Sequence, residues 1–136
     1  MMTRPWAQIV ARYEDYTGDV RSIQALERLA RRISESPLAN GLFAWTSMFD
    51  LCIVQIPVSH PYNGPLLRIS PISEHQIEFR YLDTFERTQQ WHRTVDAEHA
   101  WPRIIKFLDQ LRWFPAGVLE SLSRTPGGES CSPTVE

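Results

Sequence analysis

Apolar residues near the start of the chain recur at the three- and four-residue spacing of amphipathic helices. The first such pattern covers residues 4–16. A stronger pattern follows Gly18, with Asp19 as its expected N-cap. Its apolar stripe consists of Val20, Ile23, Leu26, Leu29, Ala30 and Ile33. Pro37 then ends the pattern, so the sequence predicts two N-terminal helices.

The middle of the chain changes to the short apolar runs that are typical of strands. Two runs, 42–46 and 50–56, are joined by residues 47–49, either as a hairpin or as one bent strand. The second run is apolar on both faces, which indicates a central strand that is covered on both sides. Residues 57–65 contain three prolines and an Asn-Gly pair, and this composition predicts a loop.

Three further runs follow, and two of them alternate between apolar and polar residues. Residues 66–70 predict a short strand that Pro71 stops. Residues 76–82 place Ile77, Phe79 and Tyr81 on one side and Gln76, Glu78 and Arg80 on the other. Residues 89–95 place Trp91 and Val95 inward and His92 and Thr94 outward. Because these runs follow one another with short connections, the sequence predicts that they form neighbouring antiparallel strands.

The last periodic stretch, residues 96–113, predicts a C-terminal helix, which Pro102 either kinks or restarts. Beyond it no periodicity is evident, so residues 116–136 are interpreted as a flexible tail and residues 1–115 as a single domain. The predicted fold class is α+β. It consists of an antiparallel meander sheet of about four to five strands, with two N-terminal helices and one C-terminal helix packed mainly on one face.

Charge and composition exclude several classes of function for this chain. The 136 residues carry a net charge of −2, and no segment is strongly basic, so we predict no nucleic-acid partner. The apolar runs are too short to span a membrane, and the first residues lack the apolar core of a signal peptide. The two cysteines do not form a disulfide framework. We therefore expect a cytoplasmic protein with no membrane association.

The residue types of catalytic and metal sites are present, but their spacing does not match a known signature. Zinc protease helices need two histidines four residues apart, and His92 and His99 are seven apart. Cys52 lies in an apolar run and is interpreted as a small buried hydrophobe, and Cys131 as a free thiol in the tail. We predict no catalytic residues, no metal and no cofactor.

The polar side of the predicted sheet is the best candidate for a binding surface. If residues 66–70, 76–82 and 89–95 pair in register, Arg68, Glu78, Arg80, His92 and Thr94 share one face. Tyr62, in the loop, borders that face, and arginine and tyrosine are enriched where binding energy concentrates. The candidate binding residues are Arg68, Glu78, Arg80, His92 and Tyr62.

The predicted function is therefore a non-enzymatic domain that binds a protein partner or itself. Two alternatives stay open. One is a small hydrolase or metal-dependent enzyme that uses His92 and His99 with nearby carboxylates. The other is a small-ligand binder with a pocket between the sheet and Trp101.

Overall fold

The computed structural model describes residues 2–16, 21–60, 62, 64–83 and 86–123. The chain forms two compact units, residues 1–100 and residues 101–136. In chain order the helices and strands are α1 Trp6–Tyr16, α2 Arg21–Ser34, β1 Phe43–Ser47, β2 Asp50–Val54, β3 Leu66–Ser73, β4 Gln76–Leu82, β5 Trp91–Asp96, α3 Ala100–Leu111 and α4 Ala116–Ser123. Single turns of 3₁₀ helix cover Pro37–Asn40, Arg87–Gln89 and Ala97–His99.

The predicted apolar stripe of α2 is buried at Ile23, Leu26, Leu29, Ala30 and Ile33, whereas Val20 lies outside the described residues. Helix α1 packs against α2 and β1, and α2 packs against β3 and β4. The indole Nε1 of Trp6 donates to the carbonyl oxygen of Leu42 at 2.9 Å, and the hydroxyl of the buried Tyr13 donates to the carbonyl oxygen of Phe49 at 3.0 Å. These two bonds hold α1 against both ends of the first hairpin. The expected N-cap Asp19 lies outside the described residues.

The five strands form one antiparallel sheet in the order β1-β2-β3-β4-β5. Strands β1 and β2 form a hairpin, because Ser47 pairs with Asp50 across a turn made by Met48 and Phe49. Met48 has a φ of +57°, a left-handed conformation that tight hairpin turns require and that glycine or asparagine usually supplies. Because neither residue is present at this turn, the sequence alone did not distinguish a hairpin from one bent strand.

Strand β3 is longer than predicted. It continues through Pro71, which pairs with Ile77, to a register shift before Ser73. The last residue of β3 that pairs with β2 is Ile69, so among the described residues the end of β3 has only β4 beside it. A missing proline N–H is tolerated at such an edge position. By contrast, β2 is shorter than predicted, since it ends at Val54.

The C-terminal part differs from the sequence interpretation at two points. A 3₁₀ turn precedes α3, which begins at Ala100, so Pro102 occupies the first turn, where its missing N–H breaks no helical bond. A helix, α4, spans Ala116–Ser123, within the part of the chain in which the sequence showed no evident periodicity; the flexible tail over residues 116–136 stays a prediction. Leu119 is buried, and Val118 and Leu122 follow helical spacing with it. This stretch was too short for its periodicity to be recognised.

The structure confirms the α+β class and the antiparallel meander, with five strands and four α-helices among the described residues. The packing of the helices mainly on one face and the single domain over residues 1–115 stay predictions. The apolar alternation of β4 is confirmed, because Ile77, Phe79 and Tyr81 are all buried. Strand β2 is buried on both faces, as predicted for a central strand.

Candidate functional site

The polar face of the sheet has one line of paired residues that crosses all five strands. In order from β1 to β5 these residues are Trp45, Cys52, Arg68, Arg80 and His92. Trp45 and Cys52 are buried, whereas the side chains of Arg68, Arg80 and His92 are 28%, 36% and 76% exposed. The same face therefore changes from a buried apolar surface at β1 and β2 to an exposed charged surface at β4 and β5.

The buried end of this face is an apolar cluster that includes the loop after β2. Its buried members are Trp45, Cys52, Val54 and Val58, and Phe43, Tyr62 and Leu66 pack around them. The Tyr62 ring meets the Trp45 ring edge to face at 6.4 Å between centroids, and its hydroxyl donates to the carbonyl oxygen of Pro65 at 2.8 Å. The Tyr62 hydroxyl thus already has an intramolecular acceptor, and the ring covers the cluster.

The exposed end of the face begins with two arginines that lie directly opposite each other, Arg68 on β3 and Arg80 on β4. Like charges in this position repel. Asp50 reduces the repulsion, because its Oδ2 accepts a bond of 2.6 Å from Nε of Arg68 and lies 3.5 Å from Nη2 of Arg80. Nη2 of Arg80 also donates to Oγ of Ser70 at 3.1 Å. One carboxylate oxygen is therefore shared by two guanidinium groups.

Glu78 extends this set of charges toward β5. Its Oε1 lies 3.5 Å from Nε of Arg80, and its Oε2 lies 3.8 Å from Nδ1 of His92. The Nε atom of Arg80 is nevertheless buried and has no hydrogen-bond acceptor among the described residues. We call Asp50, Arg68, Arg80, Glu78 and His92 the polar row. It brings together four of the five predicted binding residues, and Tyr62 lies on the apolar cluster instead.

Cys52 is in the middle of this face, but its surroundings do not favour nucleophilic chemistry. Burial raises the pKa of the Cys52 thiol to about 11, and the nearby Arg68 only partly offsets this effect. A thiol must ionise to act as a nucleophile or a metal ligand. The interpretation of Cys52 as a small buried hydrophobe agrees with its position, whereas Cys131 lies outside the described residues.

The two histidines of the metal alternative contact different carboxylates. His92 lies near Glu78, whereas Nδ1 of His99 lies 3.8 Å from Oδ2 of Asp96. Asp96, Glu98 and His99 offer ligand atoms within 4.8 Å of one another, and all three residues are exposed. Exposed acidic groups often cluster in this way without binding an ion, so this cluster does not indicate a metal site.

Asp50 is the member of the polar row that the sequence reasoning missed. It begins β2, where the run 50–56 was read only for its apolar positions. Cys52 on β2 pairs directly with Arg68 on β3, and Asp50 lies two residues before Cys52 on the same face of β2. Asp50 and Arg68 are therefore diagonal neighbours. The available signal was a single carboxylate at the start of an otherwise apolar strand. Strand ends often face solvent, so a charged side chain there can lie on the polar face of the sheet.

No protein-family model matches the chain, and the comparisons with curated proteins and with solved structures found no match either. In the described part of the chain, none of the helices has the length and apolar character needed to cross a bilayer.

Proposed function

We propose that this chain is a protein-binding domain whose polar row contacts an acidic group of its partner. The observation that carries the proposal is the pair of opposed arginines, Arg68 and Arg80, that share one oxygen of Asp50. Even with Ser70 and Glu78 beside Arg80, the two guanidinium groups have more N–H donors than these side chains bind. A partner carboxylate would supply the missing acceptors through strong charge-assisted bonds.

The surroundings of the row support a protein as the partner. A sheet face is broad. The partly buried apolar residues Phe43 and Leu66, which pack around the apolar cluster, lie on the same face as the polar row. Protein interfaces combine apolar and aromatic anchors with arginine at their centre and a polar rim. His92, which is largely exposed, would belong to the rim of such an interface. A cytoplasmic location belongs to the same proposal.

Self-association through the edge of the sheet is less well supported. Among the described strands β5 is at the edge, and Arg93 points from it toward the otherwise apolar face of the sheet. The Arg93 guanidinium lies 5.5 Å from the centre of the Trp91 ring, and Nη1 donates to the carbonyl oxygen of His92. An inward charge on an edge strand is a common protection against pairing with another sheet.

The experiment is a quantitative affinity capture from native lysate with four baits. These are the full chain, Arg68→Gln, Arg80→Gln and the matched control Arg87→Gln, whose exposed arginine lies outside the polar row. Circular dichroism and the midpoint of thermal unfolding establish that each bait is folded. The proposal requires a protein that the full chain and Arg87→Gln retain and that both row variants lose.

The captured protein is then purified, and its binding constant is measured with each variant. Loss of one charged bond to the partner should weaken binding by about 1.5–3 kcal/mol. A charge-reversal variant, Arg80→Glu, should lose binding to the natural partner. It should regain binding when the acidic residue of the partner that contacts Arg80 is replaced by arginine. Equal retention by all four baits would refute the role of the row, and light scattering of the chain alone would reveal self-association.

A further inference from the structure

A groove between helix α1 and strand β1 carries two arginines that the proposed function does not use. It has a volume of about 380 Å³, which is within the range of small-molecule sites. Its polar lining comes from Arg4, Gln8, Arg12, Thr46 and Ser47. Gln8 and Arg12 are four residues apart on α1, and this spacing brings their side chains to one side of the helix. Arg4 precedes the helix and forms a β-bridge with Ala44.

No acidic side chain among the described residues balances the charges in this groove. None of the residues that line it carries a carboxylate. Within the ranges that the structure describes, neither Arg4 nor Arg12 is paired with an acidic side chain. Arg12 instead lies over the ring of Tyr16, 5.5 Å from its centre. Two unpaired guanidinium groups beside amide and hydroxyl donors form a positive site with many hydrogen-bond donors.

The walls of the groove are held in place by backbone bonds. The N–H of Arg4 donates to the carbonyl oxygen of Ala44 at 2.8 Å, and the N–H of Thr3 donates to that of Val58 at 2.8 Å. These bonds fix the residues before α1 against β1 and against the loop that follows β2. The buried residues Ile9 and Trp45 add an apolar part to the lining. The backbone that carries the site is therefore in place before any ligand arrives, which lowers the cost of binding.

We infer that this groove binds a small organic anion, in which a phosphate or carboxylate group contacts Arg4 and Arg12 and an apolar part packs near Trp45. Arginine binds both oxyanions through paired N–H groups. This site shares no residue with the polar row, although Ser47 in its lining pairs with Asp50, and it goes beyond the proposed protein-binding function. An anion there would also reduce the repulsion between the two arginines.

The test is a titration followed by ¹H–¹⁵N NMR of the side-chain amide of Gln8 and the indole N–H of Trp45. The probes are phenyl phosphate, benzoate and inorganic phosphate, each at constant ionic strength with sodium chloride as the reference. We expect saturable shifts with phenyl phosphate or benzoate. The tighter of these two probes identifies the oxyanion, and weaker binding of inorganic phosphate would show the contribution of the apolar part.

The matched variants are Arg4→Gln and Arg12→Gln, with Arg87→Gln as the control outside the groove. All three arginines are exposed, so the fold should be retained, and circular dichroism checks this. Each groove variant should weaken binding by about tenfold or more, since a charged hydrogen bond is removed. The inference is overturned if no probe saturates, if sodium chloride gives the same shifts, or if the three variants bind equally.

Discussion

Nε of Arg68 donates a hydrogen bond of 2.6 Å to Oδ2 of Asp50, although the two residues are not paired in the sheet. They are diagonal neighbours on β3 and β2, within reach of a long side chain. The same oxygen lies 3.5 Å from Nη2 of Arg80 on β4. One carboxylate therefore connects three strands, and its removal would leave two arginines facing each other.

Replacement of Asp50 by alanine should destabilise the fold. The Asp50 side chain is only 17% exposed, so loss of its bonds to the two arginines should lower the free energy of unfolding by about 1–3 kcal/mol. Urea unfolding measures this change. Further replacement of Arg80 by glutamine should recover part of the stability, since it removes the repulsion.

Glu14→Ala is the matched control, because Glu14 also pairs with an arginine, Arg31, but both side chains are well exposed. Exposed ion pairs contribute little to stability. We therefore expect a clearly smaller loss than for Asp50→Ala. Equal losses for the two variants would contradict the role given to Asp50.

Cys52 should resist thiol reagents in the folded protein. Burial holds its pKa at about 11, so little thiolate is present at pH 8, and the side chain is inaccessible. The measurement uses the Cys131→Ser variant, so that only Cys52 reports. Labelling should be slow in buffer and rapid in urea, and rapid labelling of the folded protein would contradict the buried assignment.

The same shift predicts how stability depends on alkaline pH. An unfolded cysteine ionises near pH 8.5, whereas the folded pKa of Cys52 is about 11. Between these values the folded state binds more protons, so the free energy of unfolding falls as pH rises, by up to about 1.4 kcal/mol per unit. Cys52→Ala should have a shallower slope between pH 9 and 11. An unchanged slope would refute the contribution of this thiol.

Gly64 should not accept a side chain while Tyr62 keeps its position. A Cβ atom at Gly64 would lie 2.5 Å from the hydroxyl oxygen of Tyr62, which donates to Pro65. Gly64→Ala should therefore displace the Tyr62 ring and destabilise the protein by about 1 kcal/mol, the value of one hydrogen bond. In a Tyr62→Ala background the same change should cost little. A double-mutant cycle of Gly64→Ala and Tyr62→Ala, measured by thermal unfolding, gives the interaction free energy between the two positions.

Arg112 should be better replaced by glycine than by alanine. It follows helix α3 with a φ of +62°, and the N–H groups of Arg112 and Trp113 donate back to the carbonyl oxygens of Asp109 and Leu108. This helix ending favours glycine. Arg112→Gly should be more stable than Arg112→Ala by about 1 kcal/mol, since alanine is strained in the left-handed region.

Arg103, inside α3, provides the control with the opposite sign. Within a helix, glycine is less stable than alanine by about 1 kcal/mol. Arg103→Gly should therefore unfold at a lower urea concentration than Arg103→Ala. The same order of stability at both positions would contradict the left-handed conformation of Arg112.

The sequence by itself determined the α+β class, the strand faces and the shared face of Arg68, Glu78, Arg80 and His92. These features follow from periods of about 3.6 and 2 residues, which are local properties of the chain. The hairpin at Met48 and helix α4 were harder to predict. The hairpin lacks the glycine or asparagine that usually signals a tight turn, and helix α4 is too short for its periodicity to be recognised.

The connections within the polar row depend on contacts that only the tertiary structure decides. Asp50 and Arg68 are separated by 18 residues, and their diagonal contact depends on the hairpin register and on the pairing of β2 with β3. The groove likewise depends on the pairing of Arg4 with Ala44, which lies far along the chain. Periodicity assigns a residue to a face, whereas strand register and the placement of helices decide which residues on that face meet.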